Sequence, residues 1–377
     1  MKILHTADWH LGKTLNGRSL IGDQKFILKK FLEVVDDVKP DAIIIAGDVY
    51  DRADPSTDAV NLFDEIIFKL TEKKIPVLCI SGNHDNAARL NFGSRLFAHE
   101  KFFITTKTLH APENIILHDE FGEVYFSLIP YFDPAEIKSK FLQENEERLT
   151  FDAANKFYLD RARENIPAGK RSVAIAHVFV EGGEESDSER KFVGTTGRVR
   201  AENFSGYDYV ALGHLHRPQK ISENIFYSGS PLKYSAKEST HKKGVTLVEL
   251  DGHGFVRAEN IPLTPLRDLI EVSGTLADLL AQPPTDAYAY VTLTDETFVY
   301  DAAQKLREVF PHIMEAKNKS RPKGFIEEPA RQFREDATLF EQFEDFFREM
   351  TRRDLNDDER AALKEIFLED EVCDRLN

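Results

Sequence analysis

The 377-residue sequence has few cysteines and no long apolar run, and both absences limit what the chain can be. Its two cysteines, Cys79 and Cys373, are far apart, which argues against a disulfide framework and indicates a reducing compartment. They are also too few for a sulfur-rich structural zinc site. No stretch approaches the ~18 apolar residues of a membrane span, and the first residues lack the apolar core of a signal peptide. We therefore expect a cytoplasmic protein without a membrane segment.

The sequence also lacks an excess of basic residues, since its formal net charge is −16. Such a charge ordinarily counts against a nucleic-acid partner. The excess is uneven, however, because residues 324–377 hold seventeen acidic and eight basic side chains. Bound divalent cations would invert the field around other carboxylates. A Walker-type glycine-rich loop is absent, which argues against an ATP site of that type in this chain.

The first part of the chain alternates between strand and helix patterns. Strands are predicted at 2–6, 42–45 and 76–80, separated by helices at 24–38 and 57–73. This βαβαβ order predicts an α/β fold with a parallel sheet. The pattern then continues with strands predicted at 114–117, 124–129, 172–176, 209–212 and 244–250, and a helix at 153–164.

A second, smaller domain is predicted beyond residue 261, where Pro262 and Pro265 bracket a linker. Its pattern is α+β, with strands at 268–272, 287–293 and 312–317 and a helix at 302–310. The predicted boundaries are 1–260 for the first domain and 266–320 for the second.

The C-terminal part, 333–377, is predicted to form a helical pair. An apolar stripe runs from Leu339 to Met350, and Thr338 and Glu341 form a capping-box pair at its start. The stripe either packs on the chain's own domains or docks on a partner.

Five predicted strands of the first part end in side chains that bind metal ions. These residues are Asp8, His10, Asp48, Asn83, His177, His214 and His216. Ligands bind outside the carboxyl ends of strands in open α/β sheets, so we expect the seven side chains to meet at one edge. Asp8 and His10, like His214 and His216, point to the same side if the backbone stays extended.

Oxygen and imidazole ligands without cysteine suit manganese, iron or zinc. Seven ligands exceed the needs of one ion, whereas a carboxylate bridging two ions ~3.5–4 Å apart accounts for the number. Taken singly, a histidine at a strand end is ordinarily structural, and a Gly-Asp or Gly-Asn dipeptide is ordinary turn chemistry. Five matches in order predict a two-metal site.

The same motifs resemble those of the calcineurin-like metallophosphoesterases. They read Asp8-x-His10, Gly47-Asp48-x-x-Asp51-Arg52, Gly82-Asn83-His84-Asp85, His177 and Gly213-His214-x-His216. The stretches "KILHTADWHLGKTLNGRS", "IIAGDVYDRADPS", "ISGNHDNAARL", "DYVALGHLHRPQ" and "YSGSPLKYSAKE" are similar to the nuclease subunits within this family. The similarity is strong over 1–250 and weak beyond. It implies a metallophosphoesterase β-sandwich flanked by helices, followed by a DNA-binding capping domain and partner-binding helices.

The resemblance also implies roles for individual residues. One manganese ion would be held by Asp8, His10, Asp48 and His216, and a second by Asp48, Asn83, His177 and His214. It makes His84 the transition-state stabiliser, which also protonates the leaving 3′ oxygen. Asp51 either orients His84 or caps a turn, and Arg52 either touches phosphate or pairs at the surface. Trp9 and the loop 13–18 either contact DNA or are ordinary rim residues. The segment 181–200 is either a loop ordered by DNA or a partner, or a plain solvated loop.

The function implied by this resemblance is that of a DNA nuclease in repair and recombination. It would act as a double-strand 3′–5′ exonuclease and a single-strand or hairpin endonuclease. A homodimer would join two copies of a coiled-coil ATPase, bound through 333–377, in a two-plus-two assembly. One alternative is a phosphomonoesterase or small-molecule phosphodiesterase, which would need neither capping domain nor apolar tail. Another is a scaffold whose ions only hold the fold, which an intact ligand set argues against.

Overall fold

A computed structural model describes most of the chain. The described residues are 1–110, 112, 114–141, 149–186, 188, 197–320, 340–341, 343–344, 347–348, 353–357, 359–360 and 363. Tertiary contacts divide the chain into two units, Met1–Ser320 and Arg321–Asn377. The predicted helical pair therefore lies largely outside the described residues. Within the part that is described, no helix has both the length and the apolar character needed to cross a membrane.

The strands of the described chain are numbered in chain order. They are β1 Lys2–Thr6, β2 Thr14–Leu15, β3 Arg18–Ser19, β4 Ala42–Ala46, β5 Val77–Ile80, β6 Phe102–Thr105, β7 Asn114–Asp119, β8 Gly122–Ile129, β9 Arg171–His177, β10 Phe179–Val180, β11 Arg198–Val199, β12 Tyr209–Gly213, β13 Gln219–Ser222, β14 Ile225–Tyr227, β15 Gly244–Asp251, β16 Gly254–Pro262, β17 Leu269–Gly274, β18 Tyr288–Leu293 and β19 His312–Asn318.

The helices are numbered in the same way. They are α1 Ile21–Val38, α2 Thr57–Glu72, α3 Ala87–Leu90, α4 Ser94–Phe97, α5 Pro134–Phe141, α6 Phe151–Glu164, α7 Leu276–Leu280 and α8 Ala302–Lys305, with 3₁₀ turns at Ala98–Glu100, Ala201–Phe204, Ala236–Glu238 and Leu306–Glu308.

Two six-stranded sheets form the centre of the first unit. Their strand orders are β16-β15-β1-β4-β5-β6 and β13-β14-β12-β9-β8-β7. The inner strands of both sheets run parallel, and antiparallel strands complete them at the edges. A third sheet, β17-β18-β19, is parallel throughout. The predicted α/β fold class is thus confirmed.

The sheets pack face to face because their central strands are apolar on both sides. In β4, Ile43 and Ile45 pack into the cluster that contains α1 and α2. Ile44 points the other way, into the cluster shared with the second sheet, as expected when successive side chains alternate across a strand. The far side of the second sheet packs with α6. The result is a four-layer sandwich, helix–sheet–sheet–helix.

Every strand predicted from the sequence is present, with ends within two residues of the prediction. The first predicted helix begins three residues earlier than expected, at Ile21, and ends where Lys39 adopts a left-handed conformation before Pro40. The linker predicted to start at Pro262 starts later, because Pro262 is the last residue of β16 and pairs with Gly244. Proline is tolerated there since β16 is an edge strand.

The third sheet packs on the first domain through a defined joint. Its own core holds α7 and α8, while Leu269 and Tyr288 belong to the cluster of the first sheet. The Tyr288 hydroxyl donates to Asp23 at the start of α1, at 2.8 Å. The β2–β3 hairpin reaches the same sheet, since Asn16 Nδ2 donates to the Met314 carbonyl at 2.8 Å. Asn16 and Asp23, which make these contacts, belong to the segment of the chain that follows the Asp8–His10 motif.

Candidate metal centre

The carboxyl ends of β1, β4, β5, β9 and β12 meet at one edge of the sandwich. The side chains that follow these strands converge, and three overlapping groups have ligand atoms within 4.8 Å of one another. The groups are Asp8–His10–His216, His10–Asp48–His84 and Asp8–Asp48–His177. Asn83 lies beside the third group, 3.0 Å from His177 and 3.1 Å from His214. All seven residues predicted as ligands are therefore in one cluster.

The backbone reaches this arrangement by turning and not by staying extended, which corrects the basis of the prediction. β1 ends at Thr6 and β12 at Gly213. Asp8, His10 and His214 have φ values of 54°, 44° and 105°, in a region that side chains other than glycine seldom occupy. The turns at these left-handed residues bring the paired side chains into one cluster.

Glycines beside the ligands allow the loops to approach closely. A Cβ on Gly82 would collide with the Asp48 carboxylate, and one on Gly47 would collide with the His177 ring. Gly47 also has a φ of 90°, which glycine adopts at little cost. The motif glycines are thus required by packing around Asp48.

One half of the cluster joins the first and last motifs. His10 Nε2 lies 3.0 Å from His216 Nε2 and 3.6 Å from Asp48 Oδ2. Two ring nitrogens that face each other this closely repel unless a proton or a cation lies between them. Asp8 is held nearby, since its carboxylate accepts from the His214 backbone N–H at 2.9 Å.

The other half is built around His177. Its Nδ1 contacts the Ala46 carbonyl at 2.9 Å and must donate to it, because a carbonyl only accepts. Nε2 then faces Asp48 Oδ2 at 3.3 Å and Asn83 Oδ1 at 3.0 Å. Asn83 Oδ1 also approaches Nδ1 of His214. Carboxylate, amide oxygen and imidazole without thiolate is a donor set that fits divalent cations.

Burial and neighbouring charges shift the pKa values in the cluster. Burial raises the pKa of Asp8 to about 7. Burial opposes the Asp48 anion too, but His177 outweighs it and holds the pKa of Asp48 well below its usual value. Burial would lower the pKa of His177, yet Asp48 raises it to about 9. Burial lowers the pKa of His214 to about 3 and that of His10 well below 6.5, which keeps both rings in the neutral form that ligates.

His84 lies against the cluster through its backbone and its ring. Its N–H donates to Asp48 Oδ1 at 2.8 Å, and its Nδ1 donates to the main-chain carbonyl of Asp51 at 2.8 Å. The Asp51 carboxylate is directed elsewhere, 2.8 Å from Lys13 Nζ and 3.6 Å from His10 Nδ1. The contact between Asp51 and His84 is thus made by the main-chain carbonyl of Asp51, which any residue at this position would supply.

Two residues suggested as DNA contacts are placed differently from each other. Trp9 is 1% exposed and donates from Nε1 to Thr6 Oγ1 at 2.9 Å, so the interpretation of Trp9 as a DNA contact is wrong. The aromatic side chain instead packs edge-to-face on Phe31 and Phe63. Arg52 is exposed and lies 3.7 Å from Asp51, which agrees with pairing at the surface.

Sequence reasoning missed several residues that hold the ligand loops. The Asp85 carboxylate accepts from the backbone N–H groups of Val49, Tyr50 and Gly82 at 2.9–3.1 Å and so ties the second ligand loop to the third. Burial raises its pKa to about 6. Gln24 on α1 donates to the His10 carbonyl at 2.7 Å. Asp85 ends a recognised motif, whereas Gln24 is an ordinary helix residue without a local signature.

A four-layer sandwich with a ring of carboxylate, amide and imidazole ligands at one edge defines a metal-dependent phosphoesterase. The calcineurin-like phosphoesterase family model matches residues 1–218, and a model named type 5 capsule protein repressor C-terminal domain matches 265–351. The SbcD subunit of the SbcCD nuclease from Staphylococcus epidermidis is 35% identical over 376 residues, covering 97% of this chain and 98% of the relative. The chain therefore belongs to the calcineurin-like phosphoesterases and, within them, to the SbcD nuclease family.

Solved structures provide a weaker comparison. TT1561 of Thermus thermophilus matches with 15% identity and a TM-score of 0.39, covering 69% of this chain and 98% of TT1561. YfcE, a phosphoesterase from E. coli, matches with 14% identity and a TM-score of 0.28, covering 69% of this chain and 100% of YfcE. These TM-scores are too low to add to the assignment.

Proposed function

We propose that the chain is the nuclease subunit of an SbcCD-type complex and hydrolyses DNA phosphodiesters with two divalent cations, manganese in the cell. The observation that carries this proposal is the position of Asp48, whose Oδ2 lies 3.6 Å from His10 and 3.3 Å from His177. This carboxylate stands between the two halves of the cluster. From this position Asp48 would be the ligand that both cations share.

The ligands divide between two cations around Asp48. Asp8, His10, Asp48 and His216 would hold one, and Asp48, Asn83, His177 and His214 the other. Two such ions supply an activated water nucleophile and neutralise charge on the phosphoryl oxygens. The chain itself supplies fixed ligand geometry, since the Ala46 carbonyl and the His84 N–H orient His177 and Asp48.

His84 is proposed to act on the substrate without binding metal. Because the Asp51 carbonyl accepts the Nδ1 proton, Nε2 is the ring atom that can exchange a proton with substrate. There it stabilises the transition state and, in the imidazolium form, gives a proton to the leaving 3′ oxygen. Asp51 positions the ring through its main chain and places its carboxylate between Lys13 and His10.

A homodimer is the proposed form of the first domain. Val60, Phe92, Leu96 and Phe97 are exposed, with Phe92 at 83% and Leu96 at 72%. Val60 is on α2, Leu96 and Phe97 are on α4, and Phe92 lies in the turn before α4. The two helices are neighbours, because Phe97 stacks on Phe102, which contacts Phe63 of α2. An apolar surface of this kind favours a protein interface, and we propose a second copy of this chain as its occupant.

The remaining parts complete the proposed assembly. Residues 1–260 would form the nuclease domain, 266–320 a capping domain that contacts DNA, and 333–377 helices that bind an SbcC-type coiled-coil ATPase. Two copies of each subunit would form the heterotetramer in the cytoplasm. The partner would bind ATP and add basic surface for DNA. Both 3′–5′ exonuclease activity on duplex ends and endonuclease activity on hairpins are proposed.

The test compares substrates directly. The purified chain, with and without its ATPase partner, is incubated with end-labelled linear duplex, hairpin DNA or a nitrophenyl phosphate monoester. We expect manganese-dependent DNA cleavage that EDTA abolishes and that Asp48→Asn lacks. Fast monoester hydrolysis without DNA cleavage would establish the phosphomonoesterase alternative instead. Binding of cations without either activity would support the alternative in which the ions only hold the fold of a scaffold protein.

A further inference from the structure

A buried ion pair lies directly behind His216, on the side away from His10. Glu238 ends the 3₁₀ turn Ala236–Glu238, and Lys243 immediately precedes β15. Their side chains are 0% and 4% exposed, and Lys243 Nζ lies 2.5 Å from Glu238 Oε2. Both residues are in the segment 229–243, which supplies no ligand to the cluster.

Lys243 holds the main chain of His216. Its ammonium group donates to the His216 carbonyl at 2.6 Å, to Ser230 Oγ at 2.8 Å and to Glu238. The Ser230 N–H donates to the same His216 carbonyl at 3.2 Å. Gly229 allows this approach, since a Cβ there would lie 2.6 Å from that carbonyl oxygen. The backbone of the ligand is thus fixed from behind by a cation.

Glu238 faces the ring of His216. Its Oε1 lies 3.5 Å from His216 Nδ1, and Ser188 Oγ contacts both that Nδ1, at 2.6 Å, and Glu238. The other ring nitrogen, Nε2, points to His10 at 3.0 Å. In a ligand histidine, the ring nitrogen that does not face the metal can be hydrogen-bonded to a carboxylate, directly or through a hydroxyl group. Such a bond fixes one tautomer and one ring orientation and makes the ligating nitrogen more basic.

Stability alone does not account for the pair. Replacing a buried ion pair by apolar side chains of similar volume is often neutral or stabilising, because desolvation offsets the Coulomb attraction. Orientation alone does not require an anion either, since His177 is held by the neutral Ala46 carbonyl. An anion behind His216 changes the electron density that its Nε2 can donate.

We propose that Glu238 and Lys243 are positioning residues for His216. Glu238, directly and through Ser188, fixes the ring with Nε2 directed to the cluster and strengthens it as a cation ligand. Lys243 balances the buried anion and holds the His216 main chain. The inference rests on the proposed function in one respect, because it takes His216 as a ligand of one of the two cations.

The experiment separates positioning from a structural role by a double-mutant cycle. The variants are Glu238→Gln, Lys243→Met and the double variant, which removes both charges and conserves volume. Lys243→Met alone leaves an unpaired buried anion and should lower Tm. The double variant should regain most of that Tm. Its manganese affinity, measured by titration calorimetry and by electron paramagnetic resonance of free Mn²⁺, should stay ~10–100-fold weaker at one of two sites.

A matched control removes a buried ion pair that is remote from the cluster. Asp119 and Arg171 are each 7% exposed and lie 2.6 Å apart, at the other end of the strand that carries His177. Asp119→Asn/Arg171→Met should leave both manganese affinities unchanged.

In the Glu238→Gln/Lys243→Met protein, kcat on DNA should fall while KM stays within twofold.

The result that would overturn the proposal is a double variant that binds both manganese ions with wild-type affinity once its Tm is restored. The pair would then be structural. The measured quantity is cation affinity, so the role of the ion pair is decided independently of whether the chain cleaves DNA. A chain that binds two ions and hydrolyses only a monoester would refute the nuclease function and still decide the role of the pair.

Discussion

The two ends of β9 bury charge in opposite ways. At its start, Arg171 donates to Asp119 at 2.6 and 2.8 Å, and the Met1 ammonium lies 3.0 Å from the same carboxylate. At its end, His177 lies among Asp8 and Asp48. The strand spans seven residues, which places the two clusters roughly 20 Å apart.

The difference lies in which charges the fold itself neutralises. Hydrogen bonds from Arg171 hold the pKa of Asp119 well below its usual value, so folding favours that anion. In the second cluster burial opposes the Asp48 anion, yet His177 likewise holds the pKa of Asp48 well below its usual value. Burial raises the pKa of Asp8 to about 7, however, so folding disfavours the Asp8 anion. A buried carboxylate whose anion the chain does not stabilise is one that an added cation would stabilise. We therefore expect the first cluster to serve stability and the second to serve cation binding.

The largest expected effect comes from Asp8→Asn. We expect turnover on DNA to fall by ~10³-fold, because a cation ligand contributes several kcal/mol of charge stabilisation. Metal-free stability at pH 7.5 should not fall, since a raised carboxyl pKa costs stability above the unfolded value. Nuclease assays and urea unfolding in EDTA measure the two quantities. A variant that is both active and less stable would reverse the comparison.

Asp119→Asn is expected to give the converse result. It leaves the buried Arg171 without its anion, so the free energy of unfolding should fall by about 3 kcal/mol. Turnover should stay within twofold, because the cluster at the other end is untouched. The destabilisation should be fully present above the unfolded pKa near ~4 and decrease as pH falls toward the depressed folded value. Urea unfolding from pH 2 to 7 measures it.

His84→Gln sharpens the comparison within the metal end. His84 contacts Asp48 by its main chain, so the substitution should retain both cations and DNA affinity. Turnover should fall by ~10²-fold or more, the contribution of a positioned proton donor. Elemental analysis and single-turnover assays measure metal content and rate. Loss of one metal equivalent would contradict the role assigned to this ring.

The central strands of the fold could be predicted because they are buried on both faces. Runs such as 42–46 carry only apolar residues, a pattern typical of strands inside a parallel sheet. β16 was missed because it is an exposed edge strand with an Arg-Ala-Glu-Asn sequence, which resembles a polar loop. Pro262 at its end gives no strand signal either, since proline ordinarily interrupts a ladder.

The convergence of the seven candidate ligands could be predicted because each stands at or just after the end of a strand, but the residues that support them could not. The left-handed turns at Asp8 and His10 depend on contacts made far along the chain, including Gln24 and Tyr234. Lys243 is charged and buried only because Glu238 and the His216 carbonyl are there to receive it. Position in the sequence indicates which residues are candidate ligands, whereas tertiary contacts decide which residues orient them.

The smallest expected effect, proton release on metal binding, tests the electrostatic difference directly. Burial opposes a charged His177, but Asp48 raises its pKa to about 9, so the metal-free ring is protonated at pH 7.5. Its stabilising contribution is present below the unfolded value of ~6.5 and is lost as pH rises through about 9.

Manganese must displace the proton of His177 to reach Nε2, so titration calorimetry in buffers of different ionisation enthalpy should show about one proton released per chain. Asp119→Asn should release the same number, because its carboxylate lies at the other end of β9. Binding without proton release would mean that His177 is already neutral in the metal-free protein. The electrostatic difference between the two ends of β9 would then be smaller than expected.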